Sequence, residues 1–186
     1  MILPIVAYGD PVLKTKGQPI ERDYPGLTEL ISNMWETMYN ASGVGLAAHQ
    51  IGNSIRLFIV DASPFEEDDP KLKGFKKVFI NPQIVEEWGD EWRFNEGCLS
   101  FPELREDIAR KPNIRMTYQD VGFEAREEVF GGLAARIIQH EYDHIEGIVM
   151  PDRMSPLKRT LLRNRLQGIA MGTYRPDYPM KFALKK

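Results

Sequence analysis

The sequence has little cysteine: Cys98 is the single cysteine among 186 residues. One cysteine excludes a disulfide framework within the chain. In a protein without disulfides, a lone cysteine is either a small buried hydrophobic residue or a metal ligand or nucleophile. Histidine is also scarce, with three residues in the whole chain. The positions of these few candidate ligands therefore limit where a metal site can form.

Long apolar segments are absent as well. No run approaches the roughly 18–20 apolar residues that a membrane-spanning helix needs. The opening residues Met1–Val6 have neither a basic leader nor a small-residue cleavage site, so we expect no secretory signal. The composition, 42% hydrophobic and 27% charged, is ordinary for a globular protein. We expect a cytoplasmic protein without a membrane partner, folded as one domain over residues 1–186.

Apolar residues at helical spacing predict a helix over roughly residues 25–41. Its apolar stripe consists of Leu27, Leu30, Ile31, Met34 and Met38. Another helix is predicted over roughly 156–168, since Ser155 can act as its N-cap and Pro156 suits its first position. A basic C-terminal helix and tail therefore begin at about residue 156.

A further helix is predicted between these two. It begins at Gly131 or Gly132 and ends at Ile145, and Gly147 stands where a glycine often follows a helix. Short runs rich in β-branched and aromatic residues predict strands at 55–61, 77–80, 114–118 and 121–129. The predicted fold class is α+β, with short, mostly antiparallel strands around this central helix.

Two details of the strand region are also predicted. The run at 77–80 ends at Asn81-Pro82, a pair that favours a turn. The segment Ser63–Lys73 contains four consecutive acidic residues and is expected to be an exposed loop. No repeat or linker divides the chain.

The central helix carries the motif His140-Glu141-Tyr142-Asp143-His144. Residues at i and i+4 lie about 5–6 Å apart on one helix face, so both imidazoles can reach one metal ion. Glu141 points partly aside and can exchange a proton with a water at that ion. A divalent cation at such a site lowers the pKa of a bound water to about 7. The motif indicates a hydrolytic metal site.

The third metal ligand decides which enzyme this is. The extended metzincin motif requires a histidine where Met150 stands, and thermolysin-like peptidases use a downstream glutamate, although none follows Glu146. The ligand must therefore come from upstream. Cys98 is the strongest candidate and would leave an open position for catalysis. His49 is the alternative, and a site that used both would be closed and structural.

A glycine-rich segment, Gly43–Gln50, also matches the G-x-G-x-x-A pattern of dinucleotide-binding proteins. That pattern must follow a strand and open a helix. This segment instead follows the predicted helix 25–41. We therefore expect no nucleotide cofactor.

Taken together, three segments resemble the signature motifs of the peptide deformylases, in the order that the family has them. They are Gly43–Gln50, Glu96–Ser100 and Gln139–His144. The resemblance covers roughly residues 1–155. It implies a metal-dependent hydrolase that removes the N-formyl group from the formylmethionine of nascent polypeptides and releases formate. It also implies one divalent metal ion per chain, with Fe²⁺ expected and Zn²⁺, Ni²⁺ or Co²⁺ as alternatives.

The resemblance assigns roles to individual residues. The implied metal ligands are Cys98, His140 and His144. Glu141 is the implied general acid and base. The side-chain amide of Gln50 and the backbone N–H of Leu99 are the implied oxyanion hole.

Substrate contacts and supporting contacts are implied in the same way. The peptide is expected to lie beside Val44, Gly45 and Gly97, and the methionine pocket is expected to include Leu133 and Ile137. His49 occupies a variable position of the first motif and is no ligand by resemblance. Arg105 is expected to pair with Glu96 and brace the cysteine loop, the segment around Cys98 within Glu96–Ser100.

The C-terminal residues 157–186 are strongly basic, although the net charge of the chain is −3. Against one acid, Asp177, they carry eight cations, namely Lys158, Arg159, Arg163, Arg165, Arg175, Lys181, Lys185 and Lys186. The favoured interpretation is a solvated helix face with a loose tail. The alternative is a weak contact with ribosomal RNA, which would place the enzyme near its substrate.

Overall fold

A computed structural model describes residues 1–183 of the chain. Its helices are α1 (Leu27–Asn40), α2 (Gly132–Ile145), α3 (Pro156–Leu161) and α4 (Arg163–Ala170). Its strands are β1 (Ile5–Val6), β2 (Gly45–Ala47), β3 (Leu57–Asp61), β4 (Lys76–Trp88), β5 (Trp92–Gly97), β6 (Arg105–Arg110), β7 (Asn113–Gln119), β8 (Ala125–Gly131) and β9 (Met180–Lys181).

The strands are mostly antiparallel. Five of them form one antiparallel sheet in the order β2-β3-β4-β7-β8, and β5 and β6 form a separate antiparallel hairpin. β1 and β9, at the two ends of the chain, pair in parallel. The predicted α+β class is confirmed. Within residues 1–183, no helix is both long enough and apolar enough to span a membrane.

The core lies on both faces of the β2-β3-β4 part of the sheet. Successive side chains of a strand point to opposite faces, and β3 is buried on both. Phe58 and Val60 belong to the apolar cluster that includes the buried residues of α2. Leu57 and Ile59 belong to the cluster that includes Met34 and Met38 of α1, although only the second half of the α1 stripe is fully buried. The sheet thus holds α2 firmly from one side.

The helix α2 ends as the sequence predicts. Gly147 has φ +73°, a left-handed conformation, and follows the cap residue Glu146. A Cβ at Gly147 would lie 2.7 Å from the carbonyl oxygen of Lys14, so this position requires glycine for space as well as for conformation.

Three predicted boundaries were wrong. The strand expected at 121–129 spans Ala125–Gly131 instead, because residues 120–124 form the turn that precedes it. The strand expected to end at Asn81-Pro82 continues to Trp88, because the strand passes this pair through a bulge between Ile80 and Gln83. Asn81 takes φ +49° there, and its side chain bonds the backbone of Ile20 on both sides, with N–H to Oδ1 at 2.9 Å and Nδ2 to O at 2.7 Å. A bulge accommodates a proline that an unbroken ladder would not.

The predicted helix 156–168 is divided into α3 and α4. Leu162 separates them as a turn residue with φ −90° and ψ 0°, which departs from the regular α-helical values. The loose tail was also a wrong expectation, because residues beyond α4 return to the fold as strand β9. Lys185 and Lys186 lie outside the described residues.

The sequence did not predict the hairpin of β5 and β6. Its inward positions on β5 are Trp92, Phe94 and Glu96, alternating with exposed Arg93 and Asn95. The buried charge at Glu96 obscures the apolar alternation that identifies a half-buried strand. The segment 63–73 is, as expected, largely exposed, and contains two short 3₁₀ turns at Ser63–Phe65 and Pro70–Leu72.

Candidate metal centre and active site

Three candidate ligands meet at the centre of the molecule. One turn of α2 separates His140 and His144, whose ring centroids lie 5.2 Å apart. Cys98 follows β5, and its Sγ is 3.3 Å from Nε2 of His144. The ligand atoms of all three residues lie within 4.8 Å of one another. The H-E-x-x-H helix and the cysteine loop therefore come together as one cluster.

These three side chains fit a single divalent cation. A thiolate and two imidazoles are ligands that catalytic zinc sites use while they keep a further position open. His140 directs Nδ1 to Glu96 Oε2 at 2.9 Å, which leaves its other ring nitrogen for the cluster. His49 lies elsewhere, fully buried, with Nε2 3.4 Å from Ser54 Oγ. Among residues 1–183, the group of candidate ligands does not include His49.

Glu96 is the centre of a buried ionic network behind the candidate ligand His140. Arg110 donates to both of its carboxylate oxygens, at 2.7 and 3.0 Å. Arg136, one helical turn before His140 on α2, donates from Nη1 at 2.8 Å. Burial alone would raise the pKa of Glu96, but the hydrogen bonds from His140 and Arg110 lower it well below its ordinary value. Glu96 is therefore a carboxylate that orients an imidazole.

The expected pairing of Arg105 with Glu96 was wrong. Arg105 stands opposite Gly97 in the hairpin, so its side chain lies on the other face of the ladder from Glu96. It donates to Asn95, from Nε to Oδ1 at 3.0 Å and from Nη2 to the backbone oxygen at 2.6 Å. Its guanidinium covers Gly97, where an added Cβ would lie 2.7 Å from Nη1.

Glu141 is buried beside the cluster and against the first motif. A Cβ at Gly45 would overlap the carboxylate and would lie 2.8 Å from its carbon atom, so the absence of a side chain there makes room for Glu141. Burial raises the pKa of Glu141 to about 7. Its Oε2 has no hydrogen-bond partner among the described residues. A buried carboxylate oxygen without a partner suits contact with water or substrate.

The first motif also places Gln50 next to the cysteine loop. The side-chain oxygen of Gln50 accepts the backbone N–H of Ala47 at 2.9 Å. This contact turns the amide nitrogen towards the loop, 3.6 Å from Cys98 Sγ and 3.3 Å from Ser100 Oγ. Leu99 follows the cysteine and packs on the same motif, because a Cβ at Gly43 would lie 2.8 Å from its Cδ1.

A cavity of about 460 Å³ opens over these residues. The predicted site residues that line it are Val44, Gly45, Gln50, Gly97, Cys98, Leu99, Leu133, Ile137, His140 and Glu141. His144 lies beneath it and is buried. The structure thus brings together every site residue that the sequence indicated.

The lining residues that the sequence did not indicate include Phe65, Phe94, Arg136 and Tyr178. Arg136 had a local signal, since it precedes His140 by four positions and shares its helix face. Phe94 would have followed from the alternation on β5. Phe65 and Tyr178 come from the acidic segment and from the C-terminal end, and no local pattern links either to the site.

The fold and the site define a metal-dependent enzyme built on an H-E-x-x-H helix in an α+β frame. Residues 2–160 match the family model described as polypeptide deformylase. The peptide deformylase of Christiangramia forsetii is 54% identical over 189 residues, which covers 98% of this chain and 96% of the relative.

Solved structures agree with this match. A peptide deformylase from Legionella pneumophila superposes with a TM-score of 0.80 at 35% identity, covering 95% of this chain and all of that one (100%). A Met-Ala-Ser-bound class I type b peptide deformylase from Acinetobacter baumannii superposes with a TM-score of 0.75 at 33% identity, covering 83% and 99% of the two chains. The chain belongs to the peptide deformylase family.

This membership establishes the reaction. The protein is a metal-dependent hydrolase that removes the N-formyl group from the formylmethionine of nascent peptides. The Cys-His-His cluster supports a single metal ion as its cofactor.

Proposed function

We propose that Cys98, His140 and His144 hold the metal, that Glu141 is the general acid and base, and that Gln50 and the backbone N–H of Leu99 form the oxyanion hole. The observation that carries this assignment is the convergence of all three motifs on one cavity wall. The metal is Fe²⁺ by family resemblance, with Zn²⁺, Ni²⁺ and Co²⁺ as working alternatives. A bound divalent cation supplies Lewis-acid polarisation and activates water.

Glu141 has the position and the environment for proton transfer. Its pKa of about 7 allows it both to accept and to return a proton near neutral pH. It takes the proton of the water that attacks the formyl carbon. It then delivers that proton to the amine of methionine as the C–N bond breaks, which leaves formate and a free N-terminus.

Gln50 and Leu99 are placed to stabilise the negative charge that develops on the formyl oxygen. The Gln50 amide nitrogen is oriented by Ala47 before any substrate arrives. A donor fixed in this way costs no reorganisation in the transition state. Removal of one such donor typically lowers kcat by about 10²–10³-fold.

The peptide binds as an additional strand beside β2. Within the described residues, β2 pairs with β3 alone, so its other edge beside Gly45 is open to a further strand, whereas the Val44 carbonyl faces β3 and accepts the Asp61 N–H at 2.8 Å. Gly97 stands across the cavity, and Leu133 and Ile137 supply an apolar wall for the methionine side chain. The Acinetobacter baumannii relative binds Met-Ala-Ser, a peptide that begins with methionine, as this assignment requires.

The test is formate release from a formyl-Met tripeptide, with metal content measured in the same sample. The assignment predicts release at about one metal per chain. A matched acetyl-Met tripeptide should be a poor substrate, because the acetyl methyl group needs additional space at the cluster. Turnover without metal, or equal turnover of both peptides, would contradict the assignment.

We also propose that residues 1–186 act as one catalytic domain in the cytoplasm, and that the basic C-terminal region makes a weak contact with ribosomal RNA. Two of its cations are already paired, Lys158 with Glu106 at 3.0 Å and Arg165 with Glu103 at 3.8 Å. Arg159 is exposed and remains available for phosphate. Arg163, Arg175 and Lys181 are exposed as well.

The ribosome contact is tested by salt dependence. Each phosphate contact contributes about one unit to the slope of log affinity against log salt. The double variant Arg159→Gln/Arg163→Gln should therefore lower the slope of ribosome binding by about two units. The control is Lys71→Gln/Lys73→Gln, which removes two exposed cations elsewhere. Equal slopes for both variants would mean that the basic face is a solvated surface that makes no contact with ribosomal RNA.

A further inference from the structure

The chain after α4 returns to the active site as a strap, residues 173–181. The strap is held along the N-terminal strand β1. The N–H of Ile5 donates to the carbonyl of Pro179 at 2.9 Å, and the N–H of Ala7 donates to the carbonyl of Lys181 at 2.9 Å. The strap is therefore fixed by backbone hydrogen bonds on the side of the molecule that carries the cysteine loop.

Three consecutive carbonyls of the cysteine loop, at residues 98, 99 and 100, each accept one hydrogen bond. The donors are, in that order, the N–H of Phe101 at 2.8 Å, the hydroxyl of Tyr178 at 2.8 Å and the N–H of Tyr8 at 2.9 Å. Two of these contacts are made by backbone groups. The middle one is made by a side chain, and that side chain comes from the strap.

We infer that Tyr178 is a positioning residue, whose hydroxyl holds the loop so that the N–H of Leu99 points at the formyl oxygen. This inference rests on the proposed role of Leu99. The peptide that carries the Leu99 N–H is planar and shares its plane with the Cys98 carbonyl. The hydrogen bond from Phe101 fixes the peptide plane between Cys98 and Leu99. The hydrogen bond from Tyr178 fixes the next peptide plane, between Leu99 and Ser100. Together they restrict rotation on both sides of Leu99.

The ring of Tyr178 also forms part of the cavity wall. It packs with the side chain of Leu99 against the cluster that contains Ile5 and Met34. The residue lies beyond the span 2–160 that matches the family model. The strap therefore adds a support for the site from a part of the chain outside the shared motifs.

The decisive variant is Tyr178→Phe, which keeps the ring and removes the hydroxyl. The Leu99 N–H remains but is less well oriented, so we expect kcat to fall about tenfold, less than the ~10²–10³-fold loss of a removed donor. KM should change less than about twofold, because an interaction made mainly in the transition state affects kcat. The matched control is Tyr174→Phe in the same strap, whose ring packs over Arg165 at 4.5 Å.

A second measurement does not depend on turnover. In zinc-loaded protein labelled with ¹⁵N-leucine, the Leu99 amide should exchange with solvent faster in Tyr178→Phe than in Tyr174→Phe. Metal content should be alike in the two variants, since neither hydroxyl belongs to the ligand cluster.

Equal kcat in both tyrosine variants would overturn the inference, as would a rise in KM alone, which would make Tyr178 only a wall of the peptide site. The variant Gln50→Ala tests the oxyanion hole independently of Tyr178. If it loses activity while Tyr178→Phe does not, the oxyanion assignment holds and the role of Tyr178 falls. If none of these variants loses activity, the oxyanion assignment itself fails.

Discussion

At the scale of single residues, the site depends on buried side chains that have a polar atom without a hydrogen-bond partner among the described residues. Glu141 is 4% exposed, and one of its oxygens has no partner among the described residues. Such a carboxylate is costly for a folded protein, because buried polar groups usually find hydrogen bonds. Its cost is consistent with a role in catalysis rather than in stability.

The first prediction concerns Glu141. Glu141→Gln should retain the metal, because this residue lies outside the proposed ligand set, and should lower kcat by at least about 10²-fold, because an amide cannot shuttle a proton. Formate release and metal content provide the measurement. The control is Glu146→Gln, which changes a carboxylate paired with Arg56 at 2.6 Å and should keep activity. Glu141→Gln with more than a tenth of the wild-type rate would refute the assigned role.

The second prediction concerns the ligand set. Cys98→Ser should lose most of the metal, since a neutral hydroxyl replaces a thiolate ligand. His49→Gln should keep one metal per chain, because His49 stands outside the ligand cluster. Metal analysis after gel filtration distinguishes the two variants. Loss of metal from His49→Gln, or full metal content in Cys98→Ser, would show that the ligands are assigned incorrectly.

At the scale of elements, the site depends on how closely β2 approaches α2. Gly45 begins β2, and the space of its missing side chain is filled by the carboxylate of Glu141 from α2. The sheet supports this contact, because Phe58 of β3 and Ala135 of α2 lie in one buried cluster. A strand and a helix therefore share one functional contact, and neither can shift without the other.

The third prediction follows from this contact. Gly45→Ala should displace the Glu141 carboxylate and lower kcat by about 10²-fold, the effect of a misplacement of about 1 Å. Metal content should stay near one per chain, because the altered contact is with Glu141. Gly122→Ala, in the exposed turn between β7 and β8, is the control. A Gly45→Ala enzyme with normal kcat would mean that Glu141 tolerates movement.

At the scale of the whole molecule, an ion pair links β4 and β8, strands that lie on either side of β7 in the sheet but far apart in the sequence. Lys77 of β4 lies 3.0 Å from Glu128 of β8, and Tyr118 of β7 donates a hydrogen bond to the same carboxylate. Burial alone would raise the pKa of Glu128, but the hydrogen bonds from Tyr118 and Lys77 lower it below its ordinary value. One carboxylate thus connects three strands.

The fourth prediction is a pH dependence of stability. A carboxylate whose pKa is lowered in the folded state stabilises the protein above its ordinary pKa of 4.5, and this stabilisation is lost as the pH falls below that value. The free energy of unfolding should therefore decline on acidification in the wild type and less steeply in Glu128→Gln. Urea unfolding between about pH 7 and about pH 3 measures it, because the loss begins near pH 4.5 and continues below it. The exposed variant Glu67→Gln should keep the wild-type decline, and identical slopes in all three proteins would contradict the prediction.

The local features of this protein were readable in its sequence. The spacing of His140 and His144 requires only one helical turn, and Gly147 places the end of that helix correctly. The three motifs were also sufficient to indicate the family. These features depend on neighbours along the chain, where periodicity and backbone conformation restrict the possibilities strongly.

Features that join distant segments required the folded structure. Glu96 binds Arg110 and Arg136 rather than Arg105, because the hairpin register places Arg105 on the opposite face. The strap reaches Leu99 through Tyr178 across 79 positions of the chain. Many pairings between distant residues are compatible with the same local sequence, and packing of the whole chain decides which of them is most stable. A short sequence pattern therefore does not predict these contacts.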